Sequence, residues 1–235
     1  MDDAPERYLS IMDAAGVDVT CLNCVFYGDA RRGNDAVAEA VALHPDRFVG
    51  AAFVTPHYPE EAVVELDRAF GELNMKFVKV YPDYAMKLPE DPSYGPILEW
   101  CSARELPVML HSTFLFEPPN ADVYKRYTGL HKRYPGIKWV IAHAGWPNPP
   151  GGQAIVDSVN DVPNMYLETC TSFSNAGTLE FIVDGVGADR ILFGSDMTLM
   201  DARLQLGIIA TADIPEEDKR KILGLNAINL LCLDI

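Results

Sequence analysis

KWVIAH, residues Lys138–His143, is a short apolar run that ends in a polar side chain, and this type of unit decides the fold. Six other runs have the same character, and the starts of all of them lie about 25 to 32 residues apart. One strand plus one return helix needs such an interval. The pattern therefore predicts a parallel α/β fold. The other runs are Val19–Phe26, Phe48–Val54, Met75–Tyr81, Pro107–His111, Met165–Thr169 and Arg190–Asp196.

Helix signals lie between the apolar runs. Pro5–Ala15 carries apolar residues at helical spacing, so we expect the chain to open on a helix. Asn34 or Asp35 is a candidate N-cap for the helix that follows the first run. Pro59 and Pro215, each followed by two glutamates, are typical of helix starts.

The length of the chain fits one domain of the (β/α)8 TIM-barrel type. Such domains have about 250 residues, and this chain has 235 residues with 49% hydrophobic content. We therefore predict a single domain over residues 1–235. A closed barrel needs eight strands, yet nothing before Val19 resembles one. The predicted fold is a TIM-type barrel that lacks its first strand.

The charge of the chain narrows the set of partners. Its formal net charge is −15, from 34 acidic and 19 basic residues, and no long lysine or arginine cluster occurs. Nucleic acid and anionic membranes are therefore poor partners. No signal peptide or membrane-spanning run is present in the sequence. We expect a cytoplasmic protein that acts on a small molecule.

The five cysteines do not form a disulfide framework. They are odd in number and scattered, so reduced thiols are expected. Cys21 and Cys24 have the C-x-x-C spacing, but they lie within a predicted strand, where positions i and i+3 point to opposite faces. We therefore predict buried thiols and not a zinc or redox pair.

Three of the apolar runs end in His111, His143 and Asp196. In a parallel barrel the carboxyl ends of the strands share one rim, where active sites form. Imidazole nitrogens and carboxylate oxygens are ligands of zinc, manganese and iron. These three side chains therefore predict a metal site at that rim.

At these residues the sequence resembles the amidohydrolase superfamily, in particular its amidohydrolase-related branch of metal-dependent TIM-barrel hydrolases and decarboxylases. The resemblance runs from Tyr8 to Leu231. Its most specific parts are AHAGWP and LFGSD, within residues 138–149 and 190–201. Further matching segments are HPDRFVGAAFVTP (44–56), LPVMLHS (106–112), MYLETC (165–170) and KILGLNAINLL (221–231).

The resemblance implies roles for the three rim residues. His111 and Asp196 match the metal site of the family, and His143 matches a second metal ligand or a group that polarises the substrate. Asp196 would move a proton and His143 would stabilise developing negative charge. The implied cofactor is a divalent metal ion, with zinc as the first choice and manganese as the alternative.

The sequence also departs from the family pattern. Members normally begin with a strand that ends in His-x-His, and no such motif occurs in these 235 residues. His44 and His57 do not replace it, because His44 precedes a strand and His57 stands alone in a loop. We therefore expect metal occupancy to be weak.

Trp146, Lys79 and Glu168 are candidate substrate-binding residues near the same rim, and Asp83 is a further polar candidate. The indole of Trp146 could stack on a flat substrate. For Lys79 three hypotheses remain open. It could be carboxylated and bridge metals as in some superfamily members, form a Schiff base, or have no direct role in the chemistry.

The predicted function is a metal-dependent hydrolase of a small carboxylate, lactone or amide. The main alternative is a non-oxidative decarboxylase of the same family. Two further hypotheses are a degenerate barrel that serves as a binding or assembly module, and a metal-free Schiff-base lyase that uses Lys79. A shortened form of a longer protein is also compatible with the sequence.

The missing strand predicts an open seam between the first and last strands, with unpaired backbone groups on both sides. We expect direct contact of the two edge strands, cover by residues 1–15, or a neighbouring subunit to close this seam. A homo-oligomer is therefore expected.

Overall fold

The computed structural model describes residues 4–25, 28–112, 122–145, 151–170 and 176–235. Strands and helices alternate along these ranges. The strands are β1 (Thr20–Leu22), β2 (Phe48–Phe53), β3 (Phe77–Val80), β4 (Pro107–Leu110), β5 (Lys138–Ile141), β6 (Met165–Glu168) and β7 (Ile191–Leu192). The α-helices are α1 (Ala4–Ala15), α2 (Ala30–Leu43), α3 (Pro59–Gly71), α4 (Pro82–Ala85), α5 (Gly95–Ser102), α6 (Val123–Arg133), α7 (Gly151–Asp161), α8 (Thr178–Val186), α9 (Ala202–Thr211), α10 (Glu216–Arg220) and α11 (Asn226–Leu231).

The strands of the described ranges form one seven-stranded sheet in the order β1 to β7. Every neighbouring pair is parallel, as between β4 and β5, where Val108 lies opposite Trp139. Each strand lies within one of the seven predicted runs. The prediction of a parallel α/β fold is therefore confirmed, and all carboxyl ends of the strands share one rim.

The two faces of the sheet have different environments. Val78 and Val80 of β3 belong to the large apolar cluster that includes residues of the surrounding helices, whereas Lys79 between them faces the other side. On that inner side, Val140 and Leu192 form a smaller apolar cluster with Leu230 of α11. The C-terminal helix therefore packs against the inner side of the sheet near β7.

The C-terminal segment also binds the free edge of β7. The Phe193 amide donates a hydrogen bond of 2.8 Å to the Ile222 carbonyl oxygen. The buried side-chain amide of Asn226 donates bonds of 2.7 Å to the carbonyl oxygens of Ala188 and Ile191. These bonds satisfy backbone groups that an edge strand would otherwise leave unpaired.

Within the described residues β1 and β7 form no hydrogen-bonded pair, so strand pairing does not close the seam, and the other two expected ways of closing it stay open. Helix α1 does contact α9, which follows β7, so the N-terminal segment spans part of the seam as expected. The hydrogen bonds from residues 221–226 to the edge of β7 were not predicted from the sequence.

The start of α2 differs from the prediction. The helix begins at Ala30, with Asp29 as the N-cap that accepts a bond from the Arg32 amide. Asn34 lies inside the helix, is buried, and bonds to the Phe53 backbone and to Glu65. Neither Asn34 nor Asp35 is therefore the cap.

Other local predictions are confirmed. Helix α1 covers the predicted segment, α3 begins at Pro59, and α10 begins directly after Pro215. No disulfide joins any of the five cysteines, as predicted, although Cys21 is exposed and not buried. Among the residues described here, no helix is both long and apolar enough to cross a membrane.

Replacing Asn226 by alanine should destabilise the fold. The change leaves two buried carbonyl oxygens at the edge of β7 without their donor, so we expect a loss of about 1 to 3 kcal/mol in the free energy of unfolding. Asn229→Ala, at an exposed position of the same helix, should change it by less than about 0.5 kcal/mol. Urea unfolding followed by circular dichroism measures both values. Equal stability of the two variants would contradict the role of Asn226.

Candidate active site

His111 and His143 lie at the shared rim, directly after β4 and β5, and their imidazoles touch. His111 Nδ1 lies 3.1 Å from His143 Nε2, and the two rings are nearly perpendicular. Both side chains are buried. His143 and Ala144 adopt positive φ angles of 58° and 42° in the turn after β5. This left-handed backbone, uncommon for such residues, places the His143 ring beside His111.

The outer nitrogens of the pair each face a hydrogen-bond acceptor. His111 Nε2 lies 3.3 Å from Asp83 Oδ2. His143 Nδ1 lies 3.1 Å from the backbone oxygen of Cys170. A neutral imidazole carries one N–H group, so two neutral rings supply two protons for three contacts. A third proton, on a ring or on Asp83, or a metal ion held by the facing nitrogens would satisfy these contacts.

Protonation of His111 is disfavoured. Burial, together with the nearby charges of Lys79 and His143, lowers the pKa of His111 to about 2. A metal ion between the two facing nitrogens would remove the need for a shared proton. Each ring would then donate its outer N–H to a carboxylate or a carbonyl, which is the usual arrangement around metal-bound histidine.

The spacing of the pair also fits a metal ion. Two nitrogens bound at about 2.0 to 2.1 Å in a tetrahedral site are about 3.4 Å apart, close to the observed 3.1 Å. Asp83 would therefore orient His111, a candidate metal ligand, through its contact with Nε2. From the sequence Asp83 was only a further polar candidate, because the contact of Asp83 with His111 depends on the short helix α4.

Asp196, the third predicted ligand, follows β7 at the same rim. Its φ angle is 54°, its side chain is exposed, and within the described ranges its carboxylate makes no hydrogen bond or ion pair. The same ranges contain no cluster of three or more His, Cys, Asp or Glu side chains arranged to hold a metal. The structure therefore assembles the two nitrogen donors, and Asp196 as a ligand stays a prediction.

Glu168 is held in one position at the end of β6. It is buried, and its two oxygens accept hydrogen bonds from the Cys170 amide at 3.0 Å and from the Cys170 thiol at 2.8 Å. Cys170 therefore links Glu168 to His143, whose Nδ1 lies 3.2 Å from its sulfur. From the sequence Cys170 was predicted only to be a reduced thiol, because its position along the chain gives no sign of a contact with His143.

Lys79 extends from the inner face of β3 and is buried. Among the described residues its ammonium makes no hydrogen bond or ion pair, and it lies 5.4 Å from the centre of the Tyr81 ring. Burial lowers the pKa of Lys79, while the nearby Cys170, Glu168 and Asp196 side chains oppose that shift. An unpaired buried ammonium is able to bind an anionic ligand. Trp146, the third predicted substrate-binding residue, lies outside the described residues.

A glycine in the matched LFGSD segment makes room for Glu168. A Cβ atom added to Gly194 would lie 1.2 Å from Glu168 Oε1. The sequence analysis did not single out Gly194, because only the folded structure brings it against β6.

Gly194→Ala should therefore displace the Glu168 carboxylate and break its bonds to Cys170. We expect a loss of about 1 to 3 kcal/mol in the free energy of unfolding, the usual cost of overpacking. Gly207→Ala is the matched control, because a Cβ at Gly207 in α9 meets no atom within 4 Å and alanine favours helix. Chemical unfolding measures both variants. If Gly194→Ala were as stable as the unchanged protein, Glu168 would not occupy this position.

Known proteins with similar sequences and folds were found. The sequence model of the family described as Amidohydrolase matches residues 1–233. The gamma-resorcylate decarboxylase of Polaromonas sp. (strain JS666) is 29% identical over 299 residues, covering 99% of this chain and 88% of that protein. The aligned length exceeds the 235 residues of this chain, so the relative carries segments that have no counterpart here.

Two solved structures are similar in fold. A dihydroxybenzoic acid decarboxylase from Polaromonas sp., with bound manganese and the inhibitor 2-nitroresorcinol, has a TM-score of 0.75 and 26% identity, covering 98% of this chain and 86% of that one. An uncharacterized TIM-barrel protein from Bordetella bronchiseptica has a TM-score of 0.82 and 20% identity, covering 98% and 83%. The predicted TIM-type fold that lacks a strand is therefore confirmed.

These matches also bear on the predicted activities. The predicted enzyme class, a hydrolase or carboxy-lyase of the amidohydrolase superfamily, is confirmed. The similar proteins of known activity are decarboxylases, so the alternative prediction of a decarboxylase is favoured over the main prediction of a hydrolase. The chain belongs to the amidohydrolase-related family of metal-dependent TIM-barrel enzymes.

Proposed function

We propose that the protein is a metal-dependent, non-oxidative decarboxylase of a small aromatic carboxylic acid. The observation that carries this proposal is the buried pair of His111 and His143, whose outer nitrogens face Asp83 and the Cys170 carbonyl. That arrangement fits a cation at the rim of a fold shared with decarboxylases.

His111 and His143 would hold the metal ion, and Asp196 would complete the site as the predicted third ligand. Nitrogen donors suit zinc, our first prediction from the sequence. The similar Polaromonas enzyme contains manganese, which we propose as the first metal to test. A divalent ion in this position supplies Lewis-acid charge that holds and polarises an anionic substrate.

Lys79 would bind the carboxylate of the substrate. Its ammonium is buried on the inner face of the sheet and has no ion-pair partner among the described residues. A bound carboxylate would supply that partner and offset the cost of burying the charge. Glu168, whose carboxylate is held by hydrogen bonds from Cys170, lies in the same region. It would orient the substrate by accepting hydrogen bonds from hydroxyl groups on the substrate's ring. Trp146 stays a predicted stacking residue.

The chemical step needs one proton delivered to the ring. Asp196, in its protonated form, would give a proton to the carbon that carries the carboxylate. The carbon–carbon bond then breaks, carbon dioxide leaves, and the electron pair returns to the ring. Such proton transfer by a positioned side chain contributes about 10² to 10⁴-fold in rate.

The composition of the chain also bears on its partners and its location. The strongly acidic chain favours a small-molecule substrate over nucleic acid or an anionic membrane. Among the described residues β1 pairs with β2 on one side only, which supports the prediction that a neighbouring subunit binds there in a homo-oligomer. A cytoplasmic location also stays a prediction.

The proposal predicts that purified protein supplied with Mn²⁺ releases carbon dioxide from 2,6-dihydroxybenzoate. EDTA should abolish the release and added Mn²⁺ should restore it, because the proposed reaction requires the cation. Asp196→Asn should lower kcat by about 10² to 10⁴-fold. Lys79→Met should mainly raise KM, because it removes the partner of the substrate carboxylate.

His44→Ala is the matched histidine control. His44 lies in the turn before β2, near Glu6 and away from the rim, so its loss should leave the rate within about twofold of the unchanged protein. Release that persists in EDTA would contradict the metal-dependent mechanism. Trapping of a carbonyl compound on Lys79 by borohydride would instead support the Schiff-base lyase.

A further inference from the structure

A cavity of about 520 Å³ lies beside the proposed active site, at the carboxyl ends of β1, β2 and β3. Its wall includes His57 and Tyr58, which follow β2, and Tyr81 and Tyr84, which follow β3. Cavities that bind small molecules typically have about 300 to 1,000 Å³. The volume is therefore sufficient for a single-ring compound.

A stack of three rings separates this cavity from the histidine pair. The ring centre of Tyr84 lies 4.2 Å from that of Tyr81, with an angle of 17° between the planes. Tyr81 in turn lies 3.8 Å from His111 at 16°. The stack runs from the buried His111 to Tyr84, which is 51% exposed. Its outer end is an aromatic surface at the wall of the cavity.

The cavity and the active site differ in charge. The active site contains Lys79, Asp83 and Glu168, whereas the described residues that line the cavity include no lysine, arginine, aspartate or glutamate. With no lysine or arginine among these residues, they offer a carboxylate no permanently charged partner. Its aromatic and apolar wall suits a flat, uncharged ligand.

We propose that this cavity binds an uncharged phenol, with the phenol ring stacked near Tyr84. The assignment of that phenol as reaction product rests on the proposed function. Decarboxylation removes the negative charge that Lys79 would hold, so the product loses its affinity for the active site and keeps its flat ring. The cavity would then receive the phenol as it leaves.

The test is resorcinol binding to EDTA-treated protein, followed by saturation-transfer NMR and isothermal titration calorimetry. Because no metal or turnover is needed, the result is independent of decarboxylation. Tyr84→Ala should weaken binding by about three- to tenfold, the loss of one aromatic contact, while Tyr84→Phe should keep it. Phe181→Ala, which removes a 43% exposed ring from α8, is the matched control and should bind as the unchanged protein does.

A competition experiment shows whether resorcinol binds in the cavity or in the active site. Saturating 2,6-dihydroxybenzoate should leave most of the resorcinol bound, because the acid and the phenol would occupy different places. Complete displacement by the acid would overturn the proposal, as would an absence of resorcinol binding or equal affinity in Tyr84→Ala. Thermal unfolding of each variant checks that Tyr84→Ala is folded, and Tyr84→Phe reports on the site independently of stability.

Discussion

The hydrogen bonds between the C-terminal segment and β7 are the interaction on which the rest of the structure depends. In a parallel sheet that does not close into a barrel, the backbone N–H and C=O groups at the outer edges need hydrogen-bond partners. Ile222 and Asn226 provide such partners for β7. The same segment places apolar side chains against the inner face of the sheet. With β7 fixed, Gly194 and Asp196 are held at the rim beside Glu168.

The proposed chemistry of the site follows from the hydrogen bonds of the two histidines, because two neutral imidazoles carry too few N–H groups for their contacts. The imidazoles of His111 and His143 face each other, while their outer nitrogens face Asp83 and a carbonyl oxygen. Burial and the nearby ammonium of Lys79 oppose a third proton. A divalent cation resolves the shortage and strengthens the attraction for an anionic substrate. A single geometric feature thus accounts for both the cofactor and the substrate class that we propose.

Much of this arrangement can be predicted from the sequence. Strand positions follow from the apolar runs, and a parallel sheet brings the residues after those runs to one rim, which is why His111 and His143 could be named in advance. The contacts between distant segments could not be predicted. The burial of Asn34, the cover of β7 by Asn226 and the fit of Gly194 against Glu168 each depend on side chains that meet only after the helices have packed. Asp83 was recognised as polar, but its contact with His111 depends on the local geometry of α4.

Manganese binding tests the central claim most directly, because it examines the histidine pair without assuming any reaction. Electron paramagnetic resonance of free Mn²⁺ gives the affinity of the unchanged protein and of the His111→Ala, His143→Ala and His44→Ala variants. We predict weak binding that EDTA reverses, at least about tenfold weaker in His111→Ala and in His143→Ala, and unchanged in His44→Ala. Equal affinity of all four proteins would contradict the assignment of the buried imidazole pair as the metal site.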